Sequence, residues 1–237
     1  MLLDIEGTTT PIEFVFNTLF PYAAANVDAF LTGHAQDPEV RDILDELRQQ
    51  HALDAAGNAG LSAWTDEAGE GPLQSAAKYV RWLIARDSKI PPLKEFQGRI
   101  WREGYRRGEL KGQVYPDVPP ALARWCRRGI RIAIFSSGSV LAQQLLFKNS
   151  SAGDLSAYIE AYFDTTTGPK REPSSYRKIA EAISLAEGEI LFVSDVIAEL
   201  NAACAAGMAA LQSLRPGIAL SAESPYPTVR DFDGLLN

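Results

Sequence analysis

The chain is poor in the residues that build the commonest metal and redox centres. Among 237 residues there are two cysteines and two histidines. A histidine-rich zinc site is thereby excluded, and a Ser-His-Asp triad is disfavoured. Cys126 and Cys204 fall in apolar stretches of helical pattern, so the expectation is two reduced core residues and no disulfide. His34 and His51 sit in polar company near predicted helix ends and read as solvated surface residues. No run is long and apolar enough to span a bilayer, and no basic-then-apolar signal opens the chain, so no membrane is expected and a cytoplasmic location is the default. Positive charge is also short. The balance of 23 basic against 30 acidic residues, formally -7, argues against a nucleic acid or an anionic surface held by bulk charge. An anionic substrate would need local positive charge, from chosen lysines or a metal ion. With so few nitrogen and sulfur ligands, such an ion would be held by oxygen, which points to Mg2+.

What is present begins at the first residue. Met1-Leu2-Leu3 runs into Asp4, Glu6 follows one residue on, and Gly7 with three threonines breaks the pattern. This predicts a short buried strand over residues 1–4 that delivers two carboxylates to a tight turn, with Ile5 facing the packing. The strand is thin for a central position, which leaves open whether residues precede Met1. Residues 11 to 110 read as helix throughout. Apolar residues recur at helical spacing from Ile12, with an interruption at Pro21 and a stop at Gly33, and again from Val40, Leu73 and Leu93. Residues 54–71, rich in Ala and Gly, read as a loop or flap. Phe16, Phe20 and Trp101 read as core residues before they read as ligand contacts.

After Gly112 strands and helices alternate. Asp117 is placed to cap a helix that Gly129 stops. Apolar strands are predicted over 130–135, 158–163, 190–193 and 208–211, with helices between them. The fold class that follows is α/β: a Rossmann-like, doubly wound parallel sheet, with an all-helical segment inserted after the first strand. The expected division is a core of residues 1–13 and 112–237 and a helical cap of residues 14–111.

Ligands of open parallel sheets bind beyond the carboxyl ends of the strands. Three predicted strands end there in polar residues: Asp4 and Glu6, Ser136 and Ser137, Ser194 and Asp195. Singly each set is a common helix cap; jointly they suit one site. Asp4 and Asp195 can share a hard cation, while Ser136, Ser137 and the amides opening the next helix form an anion cradle. Lys170 in the loop Thr167-Gly-Pro-Lys170 can bring the missing positive charge.

Asp-x-Glu-Gly-Thr after one apolar strand, Ser-Ser-Gly after a second, a loop lysine, and Ser-Asp-x-x-x-Glu (Asp195, Glu199) after a third resemble the four motifs of the haloacid dehalogenase-like phosphohydrolases. Within them, Asp4-Ile-Glu-Gly-Thr-Thr-Thr-Pro-Ile-Glu13, Leu19-Phe-Pro-Tyr22, Ser136-Ser-Gly-Ser-Val140, Leu146-Phe147 and Ser175-Tyr-Arg-Lys-Ile-Ala180 resemble the enolase-phosphatases of methionine salvage. Glu6 is the discriminating position, since most of the superfamily carries Asp there.

The resemblance implies a Mg2+-dependent enzyme that enolises 2,3-diketo-5-methylthiopentyl-1-phosphate. It then releases phosphate and the acireductone 1,2-dihydroxy-3-keto-5-methylthiopentene. Asp4 would form an aspartyl-phosphate and Glu6 would serve as acid and then base, with Lys170 as a further catalytic residue. Ser136, Ser137, Gly138 and Lys170 would bind substrate; Asp4, Asp195 and the Glu6 carbonyl would hold the ion. Ser194 and Glu199 would support them from behind. A monomer is the family expectation. Rival readings are a phosphatase of this fold for another small phosphomonoester, a signalling receiver, and a non-catalytic phosphate-binding scaffold.

Overall fold

The computed structural model describes residues 1–57, 60–65, 71–216 and 224–236. In chain order the elements are β1 (Leu2–Leu3), α1 (Ile12–Phe14), a π-helical turn (Val15–Leu19), α2 (Phe20–His34), α3 (Pro38–Gly57), α4 (Gly71–Ile84), α5 (Pro91–Arg107) and α6 (Val118–Arg127). Then follow β2 (Ala133–Phe135), α7 (Val140–Lys148), β3 (Ala161–Phe163), α8 (Pro173–Ala182), β4 (Leu191–Ser194), α9 (Ile197–Ala205), β5 (Ala209–Ser213) and β6 (Thr228–Val229). The chain divides into two compact units, Met1–Val15 with Leu110–Asn237, and Phe16–Glu109.

The first unit is an α/β sheet with the six-strand order β3-β2-β1-β4-β5-β6, every pair parallel. The order reverses at β1, which pairs with β2 on one side and β4 on the other (Leu3 opposite Ile134 and Val193). This is the switch point of a doubly wound sheet, where a crevice opens beyond the strand ends. The central strands β1 and β2, and β4 beyond Leu191, are buried along their length, so they read as continuous apolar runs. Leu2, Ala133, Phe135 and Phe192 pack on Tyr176, Ile179 and Ala180 of α8 and on Leu200 and Ala203 of α9.

The second unit is built from α2 to α5 and contains no strand among its described residues. Trp101 is buried there and donates its indole N–H to Leu19 O at 2.9 Å. The expected interruption at Pro21 is a π turn placed just before it, not a break. Proline has no amide to give the carbonyl one turn back, and the wider turn absorbs the mismatch without ending the helix.

Several expectations need correction. The segment 54–71 is helical up to Gly57, and part of it (residues 58–59 and 66–70) lies outside the described residues. The strand expected from 130 is confined to Ala133–Phe135, and β1 ends at Leu3, before Asp4. Asp117 makes no capping bond; its carboxylate accepts instead from Arg215 Nη1 and Phe232 N–H, both at 2.7 Å. His51 is buried, its ring set edge-on to Tyr79 and Trp64 and its Nε2 2.9 Å from Ser62 O. Its ring partners come from beyond the next turn, where no local pattern reaches. Phe16 is 45% exposed, not core. Both cysteines are free thiols; Cys126 is half-buried, and Cys204 is exposed because Ala202 and Ala203 take the inward face of α9.

Candidate active site

The site is built at the carboxyl ends of β1, β2 and β4. The Asp4 amide extends the ladder by donating to Val193 O at 3.0 Å, and the chain then turns sharply. Ile5 O accepts the amides of Thr8, Thr9 and Thr10, and the Thr9 hydroxyl reaches Asp4 O at 3.1 Å. Gly7 makes this turn at φ +69°, and a side chain there would lie 2.5 Å from Asp195 Oδ2. Glycine is needed twice over, for the backbone angle and for the approach of Asp195.

Asp4, 5% exposed, meets Lys170 across 166 residues of sequence: Nζ donates to Asp4 Oδ1 at 2.6 Å. The same Nζ lies 2.6 Å from Glu199 Oε2. The Ser194 hydroxyl has one proton; Glu199 Oε2 at 3.0 Å is better placed to accept it than Asp4 Oδ2 at 3.4 Å. Burial alone would lower the Lys170 ammonium, but Asp4 and Glu199 overcome it and the net direction is upward. Glu199 is raised by burial and by Asp4, against the pull of Lys170. Asp195 is pushed up to about 7 by burial and by the charge of Asp4, and its Oδ1 is buried with no donor among the described residues.

The lysine loop is fixed from below. Tyr176 OH donates to Lys170 O at 2.7 Å and Ser175 Oγ to Pro169 O at 2.8 Å. At the end of β2, Ser136 is buried, and its Oγ accepts the Gly138 N–H at 3.2 Å. Lys170 Nζ stands 5.8 Å over the Phe135 ring, beside this loop. Ser137 and Gly138 are half-buried. The amides opening α7 are not all open to an anion as the sequence suggested. Asp164 Oδ2 takes the Val140 N–H and the Ser139 hydroxyl takes that of Ala142.

Asp4, Lys170, Ser194 and Glu199 therefore form one hydrogen-bonded cluster, with Asp195 beside it. Glu6 is half-buried and bridges to Thr10 across the turn. Sequence reasoning missed the residues that hold the loops. Gln143 Nε2 donates to Gly138 O and to Phe163 O, both at 2.8 Å. Asp164, Ser213 and Arg215 act likewise, as does Tyr176, which the sequence offers only as a member of the Ser175–Ala180 motif and not as the support of Lys170. Among the described residues, no three His, Cys, Asp or Glu side chains are grouped closely enough to hold a metal by themselves.

Residues 1–207 match the pattern of the haloacid dehalogenase-like hydrolases. Enolase-phosphatase E1 of Synechococcus elongatus is 53% identical over 235 residues, covering 99% of this chain and 96% of that protein. The chain belongs to the haloacid dehalogenase-like hydrolases, within the enolase-phosphatase E1 family. Enolase-phosphatase E1 of Sorangium cellulosum is 46% identical over 241 residues (99% of this chain, 96% of that one), and the Drosophila sechellia protein of the same name 44% over 240 (100% and 92%). The crystal structure of the UTR4 protein of Saccharomyces cerevisiae superposes with a TM-score of 0.79 at 35% identity, covering 99% of this chain and 98% of that one. A haloacid dehalogenase-like phosphatase of Thermococcus onnurineus, at 20% identity and a TM-score of 0.56 (98% and 93% covered), shares the fold. Within this family the chain is an enzyme, a hydrolase of the phosphatase kind.

Proposed function

We propose that the chain converts 2,3-diketo-5-methylthiopentyl-1-phosphate to 1,2-dihydroxy-3-keto-5-methylthiopentene and phosphate, the enolase-phosphatase step of methionine salvage, in the cytoplasm and as a monomer. The observation that carries the reading is the buried pairing of Lys170 with both Asp4 and Glu199, reached from three strand ends on a chain with this family's relatives.

Asp4 attacks phosphorus in line and becomes the aspartyl-phosphate, while the alkoxide leaves. Lys170, held against Asp4 Oδ1 at 2.6 Å, orients the carboxylate and offsets the charge that gathers on the phosphoryl oxygens. Glu199 and Ser194 keep the ammonium in place. Glu6 protonates the leaving oxygen and then takes a proton from the water that hydrolyses Asp4. Ser136, Ser137 and Gly138 bind the phosphoryl group from the end of β2. Glu6 is also the candidate base for enolisation.

The donor set fits Mg2+. Asp4, Asp195 and Glu199 carry three negative charges against one on Lys170, a formal -2, and Asp195 Oδ1 is buried without a donor among the described residues. Asp4, Asp195 and the main-chain carbonyl of Glu6 would hold the ion, a set of hard oxygen donors suited to Mg2+. When bound, it supplies Lewis-acid neutralisation of the transferring phosphoryl group.

The test is to follow phosphate and ultraviolet absorbance together as the purified protein with Mg2+ turns over the diketo phosphate. Phosphate accompanied by an enediol absorbance is the expected result. Phosphate released without that absorbance, and equally fast from a panel of unrelated monoesters, would reduce the protein to a general phosphatase.

A further inference from the structure

The turn that follows Glu6 is clamped from outside at three successive carbonyls. Ser213 Oγ donates to Gly7 O at 3.1 Å, Arg215 Nε to Thr8 O at 2.8 Å, and the Tyr115 amide to Thr9 O at 3.0 Å. Arg215 is the centre of this clamp. It is 2% exposed, donates Nη1 to Asp117 Oδ2 at 2.7 Å, and packs on the rings of Tyr115 (4.4 Å) and Phe232 (4.3 Å). The same Asp117 oxygen accepts the Phe232 amide, so the guanidinium, its carboxylate and the segment behind it are locked together.

A buried ion pair is a poor device for stability, because the cost of desolvating both charges consumes most of what their attraction returns. Apolar residues of similar volume would fill the space about as well. What they could not do is fix a carbonyl's position. A guanidinium held in plane by two rings and a carboxylate presents its Nε–H in one direction only.

We propose, on the reading of Glu6 as acid and base, that Arg215 is a positioning residue for the reaction. By holding Thr8 O, with Ser213 on Gly7 O, it fixes the turn on which the Glu6 carboxylate is carried. Both donors leave the end of β5 two residues apart, so a single strand exit sets two points of the catalytic turn. Displacement of a catalytic group by about an ångström costs on the order of 100-fold in rate, which is the scale expected here.

The test compares Arg215→Met, Arg215→Lys, Ser213→Ala and Glu6→Gln in the Mg2+-loaded protein, on the diketo phosphate. Arg215→Met should lower kcat roughly 10- to 100-fold while KM changes by less than about threefold, as expected when a catalytic group is displaced and substrate contacts are kept. Backbone amide exchange should quicken in residues 7–10. Arg215→Lys should recover part of the rate, and Ser213→Ala should shift kcat the same way by less. In the Glu6→Gln background, Arg215→Met should cost little more. If Arg215→Met does not fold, Ser213→Ala and Arg215→Lys decide by the same readouts. Unchanged kcat per folded molecule, or a loss confined to KM, would overturn the assignment. So would an Arg215→Met penalty undiminished in the Glu6→Gln protein. A fully active Glu6→Gln protein would instead remove the acid–base reading on which the assignment stands.

Discussion

At the scale of single residues the site is a set of charges that only make sense together. Lys170 is 9% exposed with a carboxylate 2.6 Å away on each of two sides. Lys170→Met removes the cation that both carboxylates share and leaves Asp4 and Glu199 facing each other in a buried place. Breaking such a pair costs about 3–5 kcal/mol, and the melting temperature should drop accordingly. Lys170→Met/Glu199→Gln should melt above Lys170→Met alone, since the repulsion is gone, and phosphate release should stay lost in both. A double variant no more stable than the single would mean that Glu199 has no share in the ammonium's environment. Gly7 is the second residue-scale case. Gly7→Ala adds about 1–2 kcal/mol of backbone cost for the left-handed angle, and its methyl group collides with Asp195. Calorimetric titration should then give weaker Mg2+ binding than in the parent protein, and an unchanged isotherm would count against Asp195 as a ligand.

At the scale of elements, legibility followed how local the cause was. The ends of β1, β2 and β4 could be read because each strand is apolar and stops in polar residues. Asp4, Ser136 and Asp195 can be named from the sequence on that ground, Lys170 from its own loop, and Glu199 only through the family resemblance. The parts that could not be read are those whose partners lie far away. Arg215, before a proline, looks like a turn residue until Thr8 and Asp117 are beside it, more than 200 and nearly 100 residues back. Asp117 passes for a helix cap until Arg215 and Phe232 claim its carboxylate. His51 looks solvated until two aromatic rings arrive.

His34, in the helical unit, shows an element-scale consequence. It ends α2, with Nδ1 2.8 Å from Asp37 Oδ2 and Nε2 2.6 Å from Glu103 Oε1, and Arg107 Nη1 lies 3.7 Å from the other Glu103 oxygen. The hydrogen bond to Asp37 raises its pKa against the opposing effect of burial, and Glu103 adds to the rise. The stabilisation from protonated His34 is fully present below the unfolded imidazole value of about 6.5. It fades as pH climbs through the higher folded value. The melting-temperature gap between the parent and His34→Gln should therefore be widest near pH 5.5–6 and narrow by about pH 8. A gap that widened with pH would contradict the pairing.

At the scale of the whole molecule, net charge and site oppose each other. A chain of formal charge -7 repels a phosphate ester, so capture must come from a local arrangement. The doubly wound sheet supplies it by bringing three strand ends to one edge at β1. No described helix is long and apolar enough to cross a membrane. The thinness of β1 is not a defect in this plan, since two buried leucines paired on both sides suffice to set Asp4 at the switch point.

The most direct test of that plan is to mix the Mg2+-loaded protein with substrate labelled in its phosphoryl group, quench in acid within milliseconds, and map the labelled peptide. A label on Asp4, absent from the Asp4→Asn protein, is the predicted result. A label on any other side chain, or full turnover by Asp4→Asn, would contradict it.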